Sequence, residues 1–268
     1  MAIISLQSAA SALNALNTAM DVTANNLANI NTPGFKSSRA NFQDLMYIEQ
    51  AQPGVKNLNG DQRPTGLYVG LGTKISGTQY SFAPGSPQQG GQLDVLIDGN
   101  GFFKVAVPES VGQGGFAYTR AGQFAVNSNG DIVMANDTGS KLDPPINVGD
   151  NVIKIDITSD GEVLVTKPGV AEPQSVGTIQ LTNFINPAGL KSAGKNLFVE
   201  TGASGPPIEG TPGQDAFGTL QQNRFEGSNV DPTTELVNLI QIQRAFEMNS
   251  NSIRAADQTL QTVAQIHR

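Results

Sequence analysis

Near the start of the chain, apolar and small residues recur in alternating steps of three and four: Leu6, Ala9, Leu13, Leu16, Met20, Thr23, Leu27 and Ile30. Towards the other end the same spacing returns in Leu239, Ile242, Phe246, Asn249, Ile253, Ala256, Leu260 and Val263. A stripe of this period is a helix face made to meet another helix. Because the stripes sit at opposite ends, they can meet only if the middle of the chain loops out as a separate body and returns. Residues 3–30 hold no Pro or Gly and read as one helix, about 42 Å long at the usual rise. It stops at Asn31-Thr32-Pro33-Gly34, where proline disfavours helix for the residue before it. The second helix opens at Asp231-Pro232, a capping carboxylate followed by a first-turn proline, and runs to about Ile266, roughly 50 Å.

Between the helices the period changes to two. Leu93–Ile97, Phe102–Val107, Phe116–Thr119, Gln123–Val126, Ile132–Ala135, Val152–Ile157, Glu162–Thr166, Thr178–Phe184 and Leu197–Glu200 suit short strands. Asn129-Gly130 and Asp160-Gly161 are hairpin signals of the type I′ kind. The fold class is therefore α+β, with terminal helices forming a coiled-coil joint around an inserted, mainly antiparallel β domain. Residues 34–72 fit neither period and end in a Gly/Pro/Asn-rich stretch, so they are expected to be extended and ordered by contact with partners. The expected divisions are an N-terminal assembly helix (1–33), an extended inter-subunit segment (34–72), an outer β domain (73–229) and a C-terminal assembly helix (230–268).

Charge narrows the function. A net charge of −7 and a pI near 4.7 argue against a nucleic-acid partner. No apolar run reaches the ~18 residues of a membrane span, so no membrane insertion is expected. Residues 1–35 carry one charged side chain, Asp21, so the basic region of a cleavable signal peptide is missing. With no Cys there is no disulfide framework and no thiolate site. Trp is absent too, which leaves 12 Phe and 4 Tyr to supply all aromatic packing.

Chemistry is sparse. The single histidine, His267, is the penultimate residue and a poor foundation for a catalytic triad. The acid pairs Asp94/Asp98 and Asp156/Asp160 could act as two catalytic carboxylates, but Asp98 and Asp160 each precede Gly and suit turns better. Around Gly130 a calcium loop would need carboxylates where Ala125 and Asn136 stand. Gly99-Asn100-Gly101 and Gly112-Gln113-Gly114-Gly115 lack the strand-to-helix setting of a phosphate loop. No catalytic residue, cofactor or metal is expected, and the chain reads as a non-enzyme.

A helical hairpin private to one monomer is the plain reading of the stripes. Several stripe positions are Ala, Thr or Asn, however, so the seam is thin and further copies would supply burial that it lacks. The polar face of the first helix points the same way. It carries Asn14, Asn17, Asn25, Asn26 and Asn29 instead of the Glu and Lys of a plain solvent face.

Specific residues go further. The run from Ala24 through Asn25, Asn26, Leu27, Asn29, Thr32, Gly34 and Phe35 to Lys36 resembles the N-terminal signature of the bacterial flagellar rod and hook family. Leu236 to Ser250, with Gln243, Arg244 and a Phe246 where Tyr is common, looks like its C-terminal counterpart. Asp94–Phe103 and Tyr118–Gly122 match as well. Within that family the segment Tyr47–Gly72, with Gln52, Pro53, Gly54, Pro64, Gly66, Gly70 and Gly72, looks like a rod-stiffening insertion that proximal rod proteins tend to lack, and hook proteins are usually larger. The resemblance implies a helical tube of many copies of this chain, with the terminal helices lining the channel and the β domain outside. It further implies type III export, a rod cap at the growing tip, proximal rod and hook neighbours, and ring bushings around a rod that crosses the periplasm. Other readings are a proximal rod or hook-type axial subunit, or a coiled-coil-stalked adhesin or tail-tube-like protein. A cell-wall hydrolase would need an acid pair better than a turn.

Overall fold

The computed structural model describes residues 2–55, 64–169 and 172–266. They fall into two compact units, one within 1–28, 38–79 and 231–268 and the other within 29–37 and 80–230.

The first unit contains helices α1 (Ala2–Ala28) and α2 (Pro232–Ile266), which pack on each other. Two antiparallel ribbons join them: β1 (Ser38–Asp44) with β4 (Thr73–Tyr80), and β2 (Tyr47–Ala51) with β3 (Leu67–Gly70). In the second ribbon Tyr47 faces Gly70, Ile48 faces Val69 and Ala51 faces Leu67. The segment 34–72 thus has strands of its own, which its sequence period did not reveal. The reason lies in burial: β2 is almost wholly exposed, and β1 and β3 have no fully buried residue. Strands wet on both faces need no apolar alternation.

α1 ends at Ala28, so Ile30 lies beyond it. Its buried line is Ala9, Ala15, Ala19, Thr23 and Asn26, while Leu6, Leu13, Leu16, Met20 and Leu27 are half-buried at its flanks. Small side chains at the centre let other backbone approach closely; the leucines fill the sides. On α2 the half-buried positions include Leu239, Ile242, Phe246, Asn249, Ile253 and Ala256, and Leu260 is exposed. The side chain of Val263 lies outside the described residues.

Among the described residues the second unit contains fifteen strands. They are β5 (Pro87–Gln89), β6 (Val95–Asp98), β7 (Phe102–Ala106), β8 (Phe116–Thr119), β9 (Phe124–Val126), β10 (Ile132–Met134), β11 (Lys154–Ile157) and β12 (Glu162–Thr166). They continue as β13 (Gln174–Thr178), β14 (Leu181–Asn183), β15 (Lys191–Gly194), β16 (Leu197–Val199), β17 (Ile208–Gly210), β18 (Thr219–Gln222) and β19 (Arg224–Glu226). Six of them form a sheet in the order β15-β16-β8-β7-β14-β17, with β11-β12-β13 as a second sheet and the pairs β9/β10, β18/β6 and β19/β5 around them. The described ladders of this unit are antiparallel. The run Thr178–Phe184, expected as one strand, is divided between the end of β13 and β14.

Adjacent residues on β7 face opposite ways, as a strand requires. Phe103 enters the main core with Val95, Ile132, Val163 and Leu181. Phe102 joins an aromatic cluster with Tyr118, Phe184 and Phe198, roofed by Tyr80 and Phe82. Phe82 meets Phe102 edge to face at 5.2 Å, and Tyr118 meets Phe184 at 4.7 Å. Burial there pushes the Tyr118 phenol up to about 12, with Glu200 adding to the shift.

Both expected hairpins are present but are not type I′ turns. Of their central residues only Gly130 (φ +80°) and Gly161 (φ +86°) are left-handed. Gly130 N–H donates to Asn127 O, and Asn127 N–H to Asp131 O; Gly161 and Thr158 repeat the arrangement with Glu162. Each is a three-residue loop closed by glycine. The Asn127 carboxamide selects this form by accepting from the N–H groups of Asn129 and Asp131.

Candidate functional site

The amide signature at the end of α1 makes a clasp. Asn26, 2% exposed, donates from Nδ2 to Ser38 O at 2.7 Å and accepts from Ser38 N–H at 3.0 Å. The same Nδ2 donates to Glu235 Oε1 in the first turn of α2 at 3.1 Å. One side chain therefore fixes α1, β1 and α2 together. Asp231 caps α2 through Thr233 N–H and Thr234 Oγ1, and the Thr234 hydroxyl first, then the Thr233 N–H, holds its carboxyl below the usual range.

The segment expected to stiffen the assembly begins and ends on well-placed backbone. Ser8 Oγ donates to Gly70 O, Thr73 N–H donates to Ser11 Oγ, and Gly72 (φ +109°) lies so close to Ser11 that a Cβ there would collide with it. Gly66 packs against the Ala51 carbonyl and Pro53. Tyr47, Gln52, Pro53, Gly54 and Pro64 are exposed.

The remaining signature residues divide. Thr32 turns back on Asn29, and Gly34 is buried with φ +68° and a Cβ position 2.6 Å from the Ala121 nitrogen. Phe35 is half-buried, whereas Asn25, Gln243 and Arg244 are exposed. Lys36, adjoining the signature, is wholly buried and pairs with Glu226 at 2.7 Å, with Arg120 3.7 Å from the other carboxylate oxygen. Burial pulls the Lys36 ammonium below its ordinary value; Glu226 opposes that shift, and the second cation, Arg120, adds to it. Glu226 and Asn229 were not visible as partners from sequence, since an isolated acid and amide outside any motif carry no spacing signal.

The first unit leaves much apolar surface uncovered. Phe42, Tyr47, Leu67 and Tyr68 are about half exposed and Met46 is 80% exposed; on α2 so are Leu236, Val237 and Ile240, with Met248 more so. An open groove of about 440 Å³ runs between α1, β1 and α2, floored by Leu16, Ala19, Val22 and Ile242, with Phe42 at its wall. Patches of this extent mark interaction surfaces. Among the described residues no group of His, Cys, Asp and Glu is placed to hold a metal ion, and no helix is long and apolar enough to cross a membrane. His267 lies outside the described residues.

Terminal helices that return to each other, a β body between them in sequence and an uncovered apolar surface define an axial assembly subunit. Three family models match in chain order: "Flagella basal body rod protein" over residues 6–36, "Flagellar hook protein FlgE/F/G D1 domain" over 96–165 and "Flagellar basal body rod FlgEFG protein C-terminal" over 221–266. The chain is 44% identical to the flagellar basal-body rod protein FlgG of Buchnera aphidicola subsp. Schizaphis graminum, over 92% of this chain and 93% of that one. It is 42% identical to FlgG of Caulobacter vibrioides, over 97% and 98%. FlgF of the same bacterium is 34% identical, over 85% and 83%. The chain belongs to the family of flagellar basal-body rod proteins. It is a structural rod subunit and not an enzyme.

Proposed function

We propose that the chain builds the distal rod, the part of the drive shaft that joins the proximal rod to the hook and carries torque between them. Its greater likeness to FlgG than to FlgF of Caulobacter vibrioides supports this position. The carrying observation is the apolar surface of the helical unit: Phe42, Met46, Tyr47, Leu236, Val237 and Ile240 stand in water in a single chain. Covering them with further copies is favourable at roughly 25 cal/mol per Å² of apolar area. The helical stripes then act as a coiled-coil joint within and between copies, and the 34–72 segment fills the spaces between neighbours.

In this reading α1 and α2 gain much of their order on joining the tube, so folding and association are one event. A contact that repeats without closing produces a filament, as a rod requires. Such a chain passes unfolded through the type III apparatus, folds beneath a rod cap and turns inside the ring bushings in the periplasm. The test is polymerisation of the purified full chain. Straight tubes in electron micrographs support the reading; Val237→Asp with Ile240→Asp should abolish them while the β body stays folded. Tubes forming equally well from that double variant would remove it.

A further inference from the structure

Residues 29–37 sit between the N-terminal helix and the first ribbon in sequence, yet they are part of the β body. Gly34 N–H donates to Glu226 O at 2.7 Å, Asn196 Nδ2 to Pro33 O at 2.8 Å, and Ser37 N–H to Asn229 Oδ1 at 2.7 Å. Ser81 N–H donates to Ser37 O at 2.8 Å. Lys36 donates to Ala83 O as well as to Glu226. The Glu226 Oε1 atom also accepts from Gly85 N–H at 2.7 Å, and Asn229 Nδ2 reaches Ser81 O and Ala83 O. Three passages of chain, 33–37, 81–85 and 226–229, meet here, and Glu226 and Asn229, both in the last passage, each bond to the other two.

We infer that residues 29–37 form a strap that closes on the β body only after residues 226–229 have arrived, so that the N-terminal assembly helix stays unanchored until nearly the whole chain is available. Until Glu226 is present, Lys36 has no counter-charge in a buried site that also holds the Arg120 cation, and burying an unpaired ammonium is strongly unfavourable. The 190-residue separation of this pair is then a timing device. An N-terminal helix fixed early would display its apolar face with no partner helix; a strap locked late prevents that.

Hydrogen exchange of the unassembled full-length protein, followed by mass spectrometry, tests the inference. Peptides within 33–37 should exchange at least about 100-fold more slowly than an unstructured chain, in the range of β7 and β8. In Glu226→Gln they should lose that protection by tenfold or more while β7 and β8 keep theirs. If that variant does not fold, Asn229→Ala, which removes the bonds to Ser37 N–H, Ser81 O and Ala83 O, should free the strap in the same selective way. Unprotected 33–37 peptides in the native chain overturn the inference, as does equal loosening of strap and body in the variant that folds. A chain with a protected strap that never polymerises would count against the rod reading alone.

Discussion

Asn26 and Glu235 stand 209 positions apart and share a hydrogen bond of 3.1 Å from the carboxamide to Oε1. The same carboxamide both donates to and accepts from Ser38, an arrangement an amide can make and a carboxylate cannot. Asn26→Ala should cost about 1–3 kcal/mol, the penalty of leaving partly buried partners unsatisfied. Asn26→Asp should cost at least as much at neutral pH, because it loses the donor and faces Glu235, and acidification should relieve it. Thermal unfolding of the two variants against pH decides; an Asp variant as stable as the native chain at pH 7 would refute this.

Gly34 combines a left-handed backbone with the Ala121 nitrogen 2.6 Å from where a Cβ would stand. Gly34→Ala should lose about 1–2 kcal/mol from the backbone conformation alone, and more from the collision. The loss should appear as a lower unfolding midpoint of the β body. An unchanged midpoint would mean that the strap is dispensable to that body.

The Asp231 carboxyl is held below its usual range by the Thr234 hydroxyl and the Thr233 N–H, so it releases its proton more readily folded than unfolded. Its contribution is therefore complete above the ordinary carboxylate pKa and disappears as pH falls through the lowered value. Circular dichroism should show helix loss over that acid interval in the native chain and a smaller loss in Asp231→Asn, which caps without titrating. Identical acid profiles would exclude the cap as the source.

Ala51 and Leu67 are register partners at the end of the β2/β3 ribbon. Replacing 52–66 with Asn-Gly should close that ribbon by a tight turn and leave its paired residues in place. We expect tubes of such a chain to bend more readily, as a hook does. Micrographs with an undiminished persistence length would show that this segment does not stiffen the tube.

The helices were legible because each combines a long apolar period with a clear stop or cap, at Pro33-Gly34 and Asp231-Pro232. The centre of the contact was less so: leucine dominates any hydrophobic pattern, yet the deepest burial on α1 falls on Ala15, Ala19 and Asn26, whose small size is what permits close approach. Some missed strands, such as β5, β17 and β19, are three residues long and too short to show a period. Asn129-Gly130 correctly marked a hairpin, but the loop form was chosen by the neighbouring Asn127 side chain. Lys36 drew notice through its motif, while Glu226 could be found only once the chain was folded.

Helix α1 contains Asp21 as its one ionic side chain. Dissolved ions act on charges and hardly at all on amides and methyl groups at these concentrations. A shaft cemented through this helix would draw little of its cohesion from charge, so charge screening by added salt would not loosen its grip.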